Sequence, residues 1–325
     1  MSEIAPLDAV LIAVAAVWGA VTGALLPRAA YRFSVPWEEP EAESGREAES
    51  GREAESGREA ESGREAERGR DAERGREAEP GREAEAGRGE KAAVEAAPGW
   101  RTVCPSGHPV RGWLGPARCA SCAAAVPTAV HADAGPLPPT PSTASYGPAA
   151  PLLAGVTALL CATLAVATGI RPELAVWLLI APVGVLLAVV DRRVQRLPDP
   201  LTLPLAPTAL ALLGVAALLP EHAGDWTTAL LGSLALSAGY LVLHLINPGG
   251  MGFGDVKLAL GAGAALGWYG WATVMLGTFA GFLLGALYGG ALVVARKAGR
   301  GTTIPFGPFL LAGAFVGLLI GAYAA

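Results

Sequence analysis

Apolar stretches of membrane-spanning length recur along the chain and are separated by short polar segments. We predict eight spans, over residues 9–27, 149–169, 172–190, 201–219, 227–246, 255–268, 270–295 and 306–324. A helix of about 20 apolar residues crosses a hydrocarbon core of about 30 Å. The first run lacks a basic leading segment and is too long for a cleaved signal peptide, so we expect a retained helix. The pattern predicts an all-α fold, a polytopic membrane bundle of about eight transmembrane helices.

Polar residues concentrate between the first and second spans. Residues 41–88 are eight copies of a hexapeptide close to EAESGR, with one glycine in every copy. Each glycine costs a helix about 1 kcal/mol and no copy has an apolar face, so we predict a disordered, solvated spacer without a catalytic role. We therefore divide the chain into a first transmembrane helix at 1–32, a repeat insert at 33–98, a small Cys/His domain with its linker at 99–147, and a membrane domain at 148–325.

Composition and charge agree with a membrane protein. The chain is 52% hydrophobic and only 16% charged, whereas soluble domains carry about 25% charged residues. Its net charge of -5 comes from the acidic repeat, so no basic surface points to nucleic acid. Every Lys and Arg except Arg171 falls on one side of the predicted topology. By the positive-inside rule that side is cytoplasmic, and both termini face outward.

Two carboxylates are expected at the same cytoplasmic face. Asp191 ends the third span and Asp255 begins the sixth, and these spans run in opposite directions. Carboxylates that approach each other share one proton, so one acts as a base while its partner acts as an acid. The base activates water and the acid protonates a peptide carbonyl, with neither metal nor covalent intermediate. The pair therefore predicts aspartic protease chemistry.

The stretch GGMGFGDVKLALGAG, residues 249–263, surrounds the second aspartate with glycines. We expect these glycines to adopt positive φ and to form a non-helical loop against which an extended substrate lies. Gly252 and Gly254 are the loop residues nearest Asp255, and Lys257 follows it. Asp199, between two prolines, is a secondary site residue.

Simpler structural roles remain open for the same residues. Asp199 followed by proline fits a helix N-cap, and so does Asp255. Asp191 fits an edge charge paired with Arg192. Lys257 fits an interfacial anchor.

Three ordered motifs resemble those of one family. MGFGDVKLALGAGAALGW resembles the GxGD motif of type IV prepilin peptidases, DRRVQRLPDPLTLP resembles their first aspartate motif, and IPFGPFLLAG is similar to their closing segment. Residues 18–32 resemble the first span more loosely. The resemblance covers residues 150–325. It implies an aspartic endopeptidase of the bacterial cytoplasmic membrane that removes the basic leader of prepilins or pseudopilins at the cytoplasmic face.

Residue roles also follow from this resemblance. Asp191 and Asp255 correspond to the catalytic pair, and Gly252 and Gly254 to the GxGD glycines. Proteolysis needs no cofactor. The expected partners are a prepilin or pseudopilin precursor and the lipid bilayer, with no nucleic acid.

The cysteine region departs from the family, whose members often have two CxxC pairs associated with zinc. Here Gly107 stands at the usual second cysteine, and His108 follows it. Cys104, His108, Cys119 and Cys122 could form a Cys3His set for a structural Zn²⁺. The alternative is a site that has lost its metal and keeps reduced thiols. Many members also methylate the trimmed pilin, but we find no glycine-rich nucleotide loop and leave this activity open.

Three other functions compete with leader cleavage. A carboxylate-dependent transporter would place ionisable residues deep within spans, and these spans have almost none. A presenilin-type protease would have its first aspartate inside a span, beside an aromatic residue. Here Val190 precedes Asp191. An inactive member serving as a scaffold remains open, although both aspartates are present.

Overall fold

The structure, a computed structural model, describes residues 6–35, 99–124, 145–295 and 304–325. The predicted repeat spacer lies outside the described residues. Within them the fold is helical, apart from two isolated β-bridges in the cysteine region. The helices are α1 Pro6–Phe33, α2 Ala120–Ala124, α3 Ala150–Thr168, α4 Glu173–Val194, α5 Asp199–Ala216, α6 Trp226–Ile246, α7 Phe253–Trp268, α8 Trp271–Val294 and α9 Gly307–Ala324.

Seven of these helices are long and apolar enough to cross a membrane. They confirm the predicted all-α, multi-pass architecture. The sixth predicted span differs, because α7 has 16 residues and is shorter than each of these seven helices. Most of its residues are buried by α5, α6, α8 and α9, so α7 is the central helix of the bundle.

Small residues let the helices approach closely. Gly232 on α6 faces Gly263 on α7 so tightly that a Cβ on either would overlap the other's backbone. Gly313 on α9 meets Gly277 and Gly281 on α8 in the same way. Lipid offers no hydrophobic drive for helices to associate, so close backbone packing of this kind stabilises the bundle.

The cysteine region docks on the end of α1. Arg28 donates to the carbonyls of Arg111 and Leu114 at 3.0 and 2.9 Å. Arg32 donates to the carbonyl of Gly112 at 2.8 Å, while the Tyr31 hydroxyl donates to a further carbonyl in the same region. The basic residues after the first span therefore serve as structural ligands of this small domain as well as topological charges.

Candidate active site and metal centre

A tight turn after α4 organises one half of the site. Gln195 adopts a left-handed conformation, φ 52°, and its N–H donates to the carbonyl of Asp191 at 2.8 Å, which ends the helix. Pro198 is then the N-cap of α5. The turn buries Leu197 between α4 and the start of α7.

Gly254 allows α7 to begin against this turn. A Cβ on Gly254 would lie 3.0 Å from the Cβ of Leu197, so a larger residue would push α7 away. The helix starts at Phe253, which places Asp255 in its first turn. Close approach of the chain is therefore the role of this glycine.

The predicted pair of carboxylates meets at the N-terminus of α9. A Cβ on Gly307 would lie 2.6 Å from Asp191 Oδ2 and 3.5 Å from Asp255 Oδ1. The two oxygens thus flank one point, and their separation is at most the sum of these distances. Both side chains are buried, with exposed fractions of 5% and 6%. A bundle interior with two adjacent carboxyls favours a state in which the pair retains a proton.

Backbone amides face both carboxylates. The N–H of Gly307, at the positive end of α9, faces Asp191, and the N–H of Gly252 faces Asp255. The second contact resembles half of a capping box, because Asp255 is the third residue after the N-cap Gly252. Asp191 Oδ2 is buried and has no hydrogen-bond partner among the described residues.

A cavity of about 450 Å³ opens over the dyad. Its walls are the turn after α4, the glycine-rich segment before α7 and the segment before α9. Of the predicted site residues it brings together Asp191, Asp255, Gly252, Gly254, Lys257 and Asp199. A polypeptide segment in this cavity would contact both carboxylates.

Several structural alternatives are wrong. Asp199 is not an N-cap, because that position is Pro198 and Asp199 instead accepts from Lys257 Nζ at 2.6 Å. The N-cap of α7 is Gly252 rather than Asp255. Asp191 points into the bundle whereas Arg192 is exposed, so it is not an edge charge.

The predicted geometry of the glycine-rich segment also needs correction. None of Gly249, Gly250, Gly252 and Gly254 has a positive φ, and Gly254 is helical. The non-helical part ends at Gly252, where a Cβ would lie 3.8 Å from Asp255 Oδ2 and 3.9 Å from the backbone nitrogen of Gly254. The missing side chain leaves space beside the carboxylate, which is a steric role rather than a conformational one.

Two residues near the dyad had no role in the sequence analysis. Gly307 lies in the motif IPFGPFLLAG, whose Gly-Pro pair at a helix start was the available signal. Tyr240 on α6 is buried within electrostatic reach of Asp255. A lone tyrosine in an apolar span carried no signal, since its neighbour comes from another helix.

The predicted metal ligands also come together. One ligand atom from each of Cys104, His108, Cys119 and Cys122 lies within 4.8 Å of the others. Cys104 Sγ is 3.8 Å from Cys122 Sγ and 3.6 Å from His108 Nδ1, and Cys122 Sγ is 3.3 Å from that nitrogen. Zn–S bonds of about 2.3 Å and Zn–N bonds of about 2.0 Å at tetrahedral angles separate ligand atoms by about 3.5–3.8 Å. The residues present therefore fit a tetrahedral metal.

The local backbone explains how His108 reaches the three cysteines. Gly107 adopts φ 81° and its N–H donates to the carbonyl of Cys104 at 2.9 Å, which turns His108 back toward that thiol. Burial would raise the pKa of Cys104, but the backbone N–H groups of Ser106 and His108 outweigh it and lower the pKa. A lowered thiol pKa favours the thiolate that metals bind.

Comparison with known proteins identifies the family. Residues 175–290 match the model of the type IV leader peptidase family. A Pseudomonas aeruginosa protein named prepilin leader peptidase/N-methyltransferase is 31% identical over 239 residues, 68% of this chain and 71% of the relative. No solved structure matches the chain.

Proteins of the same name from two other bacteria match a shorter region. The Stutzerimonas stutzeri protein is 35% identical over 42% of this chain, and the Aeromonas hydrophila protein is 37% identical over 53%. The chain spans 46% and 58% of the length of these two relatives. The match in Pseudomonas aeruginosa extends over more than two thirds of both proteins, and the chain therefore belongs to the type IV leader peptidase family.

Proposed function

We propose that the protein is a membrane aspartic endopeptidase that removes the basic leader of prepilin-like or pseudopilin precursors. One observation carries the proposal: two buried carboxyls, from the ends of α4 and α7, flank a single point inside a cavity of about 450 Å³. Relatives whose names include prepilin leader peptidase support the choice of substrate.

The reaction follows from a dyad that holds one proton. The ionised carboxylate takes a proton from water as the oxygen attacks the scissile carbonyl carbon, and the protonated partner donates to the carbonyl oxygen. When the tetrahedral diol collapses, the C–N bond breaks and the carboxyl that deprotonated the water gives its proton to the leaving amine. The diol returns a proton to the other carboxylate as the new carboxyl group forms, so the dyad again holds one proton. Asp191 Oδ2 has no hydrogen-bond partner among the described residues, so its lone pairs are not already engaged by the protein.

An apolar cavity, also about 450 Å³, lies between α4 and α7 on the membrane side of the dyad. It begins within one helical turn of both aspartates, at Val189 and Leu258, and extends to Trp177. We place the apolar stem of the substrate there, because a stem in this cavity would deliver the residues before it to the dyad. Gly184 and Gly261 line the cavity and let a helix backbone approach.

The charge asymmetry of the loops supports an orientation with the dyad at the cytoplasmic face of a bacterial inner membrane. A leader rich in basic residues would remain on that side by the same rule. Cleavage at this face is therefore part of the proposal.

The cysteine cluster is proposed as a structural Zn²⁺ site. Cys104 and His108 from one turn, with Cys119 and Cys122 at the start of α2, would hold the ion. A bound ion would cross-link these segments and stabilise the small domain on α1. It takes no part in proteolysis.

Cleavage of a full-length precursor in membranes tests the proposal. Wild type should remove the leader, whereas Asp191→Asn and Asp255→Asn should each abolish cleavage at equal protein level. If both variants cleave as wild type does, the dyad is not catalytic. If wild type leaves several prepilin-like precursors intact, the scaffold alternative is favoured. Mass spectrometry of the new N-terminus also tests the open question of methylation.

A further inference from the structure

The backbones of the two helices that carry the aspartates do not approach each other closely. No Cα atom of α4 lies within 8 Å of a Cα atom of α7. The apolar cavity between them is lined by residues from Trp177 to Val189 of α4 and from Leu258 to Ala265 of α7, and also by α3 and α9. Helices α5 and α9 pack on both α4 and α7, and further contacts join the two helices at their far ends.

Side chains from the two helices do meet at the end of the bundle opposite the dyad. Trp177 precedes Asp191 by fourteen residues, and Tyr269 follows Asp255 by fourteen. Trp177 Nε1 donates to the Tyr269 hydroxyl at 3.2 Å, and their rings lie 6.1 Å apart. With a helical rise of about 1.5 Å per residue, this contact is about 20 Å from the dyad along either helix.

The turn between α5 and α6 adds a second link at the same end. Glu173, the fully buried first residue of α4, accepts from the N–H of Ala223 at 3.2 Å. The N–H of Asp225 donates at 3.0 Å to the carbonyl of Trp268, the last residue of α7. Gly224 lies between them and is packed so tightly that a Cβ would overlap the Trp268 ring. Residues 223–225 thus connect the start of α4 to the end of α7.

We propose that these contacts form a clamp that sets the separation of the two aspartates, with Tyr269 as a positioning residue. Two helices separated by a cavity can tilt about whatever joins them, and a tilt at the far end displaces the carboxylates. A misplacement of about 1 Å at a catalytic group can lower the rate by about 100-fold. Tyr269 touches neither the dyad nor its cavity, so it acts only through the helices. This inference rests on the proposed proteolytic function.

The variant Tyr269→Phe tests the clamp because it keeps the ring and removes the hydroxyl. With purified enzyme and a full-length precursor we expect kcat to fall by about tenfold with KM unchanged, since a shifted dyad alters the transition state more than substrate binding. Tyr323→Phe is the matched control, because the exposed Tyr323 lies on α9 at the same end of the bundle as Tyr269. A variant with normal kcat per folded enzyme and only a lower yield would overturn the clamp.

A double-mutant cycle distinguishes loss of this hydrogen bond from independent packing defects. Trp177→Phe removes the donor of the same hydrogen bond, but Trp177 also lines the apolar cavity. With a soluble peptide that contains only the leader and cleavage site, the double variant should therefore lose no more kcat than the more impaired single variant. Multiplied losses would show independent effects and contradict the clamp. If wild type cleaves and Tyr269→Phe matches it, only the clamp falls. If wild type fails to cleave any precursor, the proposed function falls and the clamp falls with it.

Discussion

At the scale of single residues, the site depends on glycines, which leave space where a side chain would contact its neighbours. Gly307 leaves room for Asp191 and Asp255 to flank one point, and Gly254 lets α7 start against Leu197. Gly252 leaves space beside Asp255. Each glycine therefore has a different steric reason, and none depends on positive φ.

Gly307→Ala should impair catalysis without unfolding the protein. Its Cβ would lie 2.6 Å from Asp191 Oδ2, so that carboxylate or the start of α9 must shift. We expect the cleavage rate to fall by about tenfold or more, because the dyad is displaced. The measurement is cleavage of precursor at equal enzyme concentration.

Gly155→Ala is the control for this substitution. Gly155 lies in α3 with nothing within 4 Å of an added Cβ. The Gly155→Ala variant should therefore cleave precursor at the wild-type rate. Wild-type cleavage by Gly307→Ala would mean that the dyad tolerates displacement, which contradicts the proposed geometry.

The ion pair of Asp199 and Lys257 should contribute little to stability. Asp199 is 56% exposed and Lys257 20%, and water screens an exposed pair. In Asp199→Asn and Lys257→Met, with their double variant, we expect a coupling energy below about 1 kcal/mol. Thermal unfolding in detergent measures it, and a coupling several times larger would show that the pair fastens α5 to α7.

At the scale of helices, the sequence predicts what depends on periodicity and span ends. Asp191 and Asp255 were placed at one face because the helix order alone brings their span ends together. The partner of Asp199, the contact of Gly307 with the dyad and the Trp177–Tyr269 bond join residues distant in sequence. Such pairs depend on how helices rotate and cross, which hydropathy does not encode.

Filling the cavity between α4 and α7 should impair cleavage of a full-length precursor. Gly184 lines it, and a Cβ there would meet only a side-chain atom of Leu311, at 3.8 Å. Gly184→Leu should therefore fold and fill the space proposed for the substrate stem. We expect cleavage of a full-length precursor to fall by about tenfold, whereas a soluble peptide that contains only the leader and cleavage site is cut at the wild-type rate.

The control for a larger residue in a span is Gly155→Leu, since Gly155 is exposed on α3 with open space around it. It should cleave both substrates normally. Equal loss on peptide and precursor in Gly184→Leu would indicate a distorted dyad. If Gly184→Leu cleaves both the peptide and the precursor at the wild-type rate, the substrate stem does not occupy the cavity, and lipid is its occupant.

At the scale of the whole molecule, the protein joins a membrane dyad to a small domain docked on the end of α1. Arg28 and Arg32 each donate to carbonyls of that domain, and Tyr31 does the same. The domain thus supplies hydrogen-bond acceptors to the polar side chains at the end of α1. We expect the ligand cluster to contribute to the fold through α1, and the dyad to cleave without it.

Metal binding can therefore be separated from catalysis. Purified wild type should contain about one Zn²⁺ per chain, and His108→Ala should contain much less, because three thiols leave the tetrahedral set incomplete. His108→Cys, placed after the left-handed Gly107, should restore part of the binding. We expect His108→Ala to unfold at a lower temperature while its cleavage rate per folded enzyme stays within about twofold of wild type, since stability and activity respond to different sites. Metal content by emission spectrometry, thermal unfolding and precursor cleavage on the same samples decide this, and wild type without metal, or a His108→Ala variant with full metal content, would refute the Cys3His site.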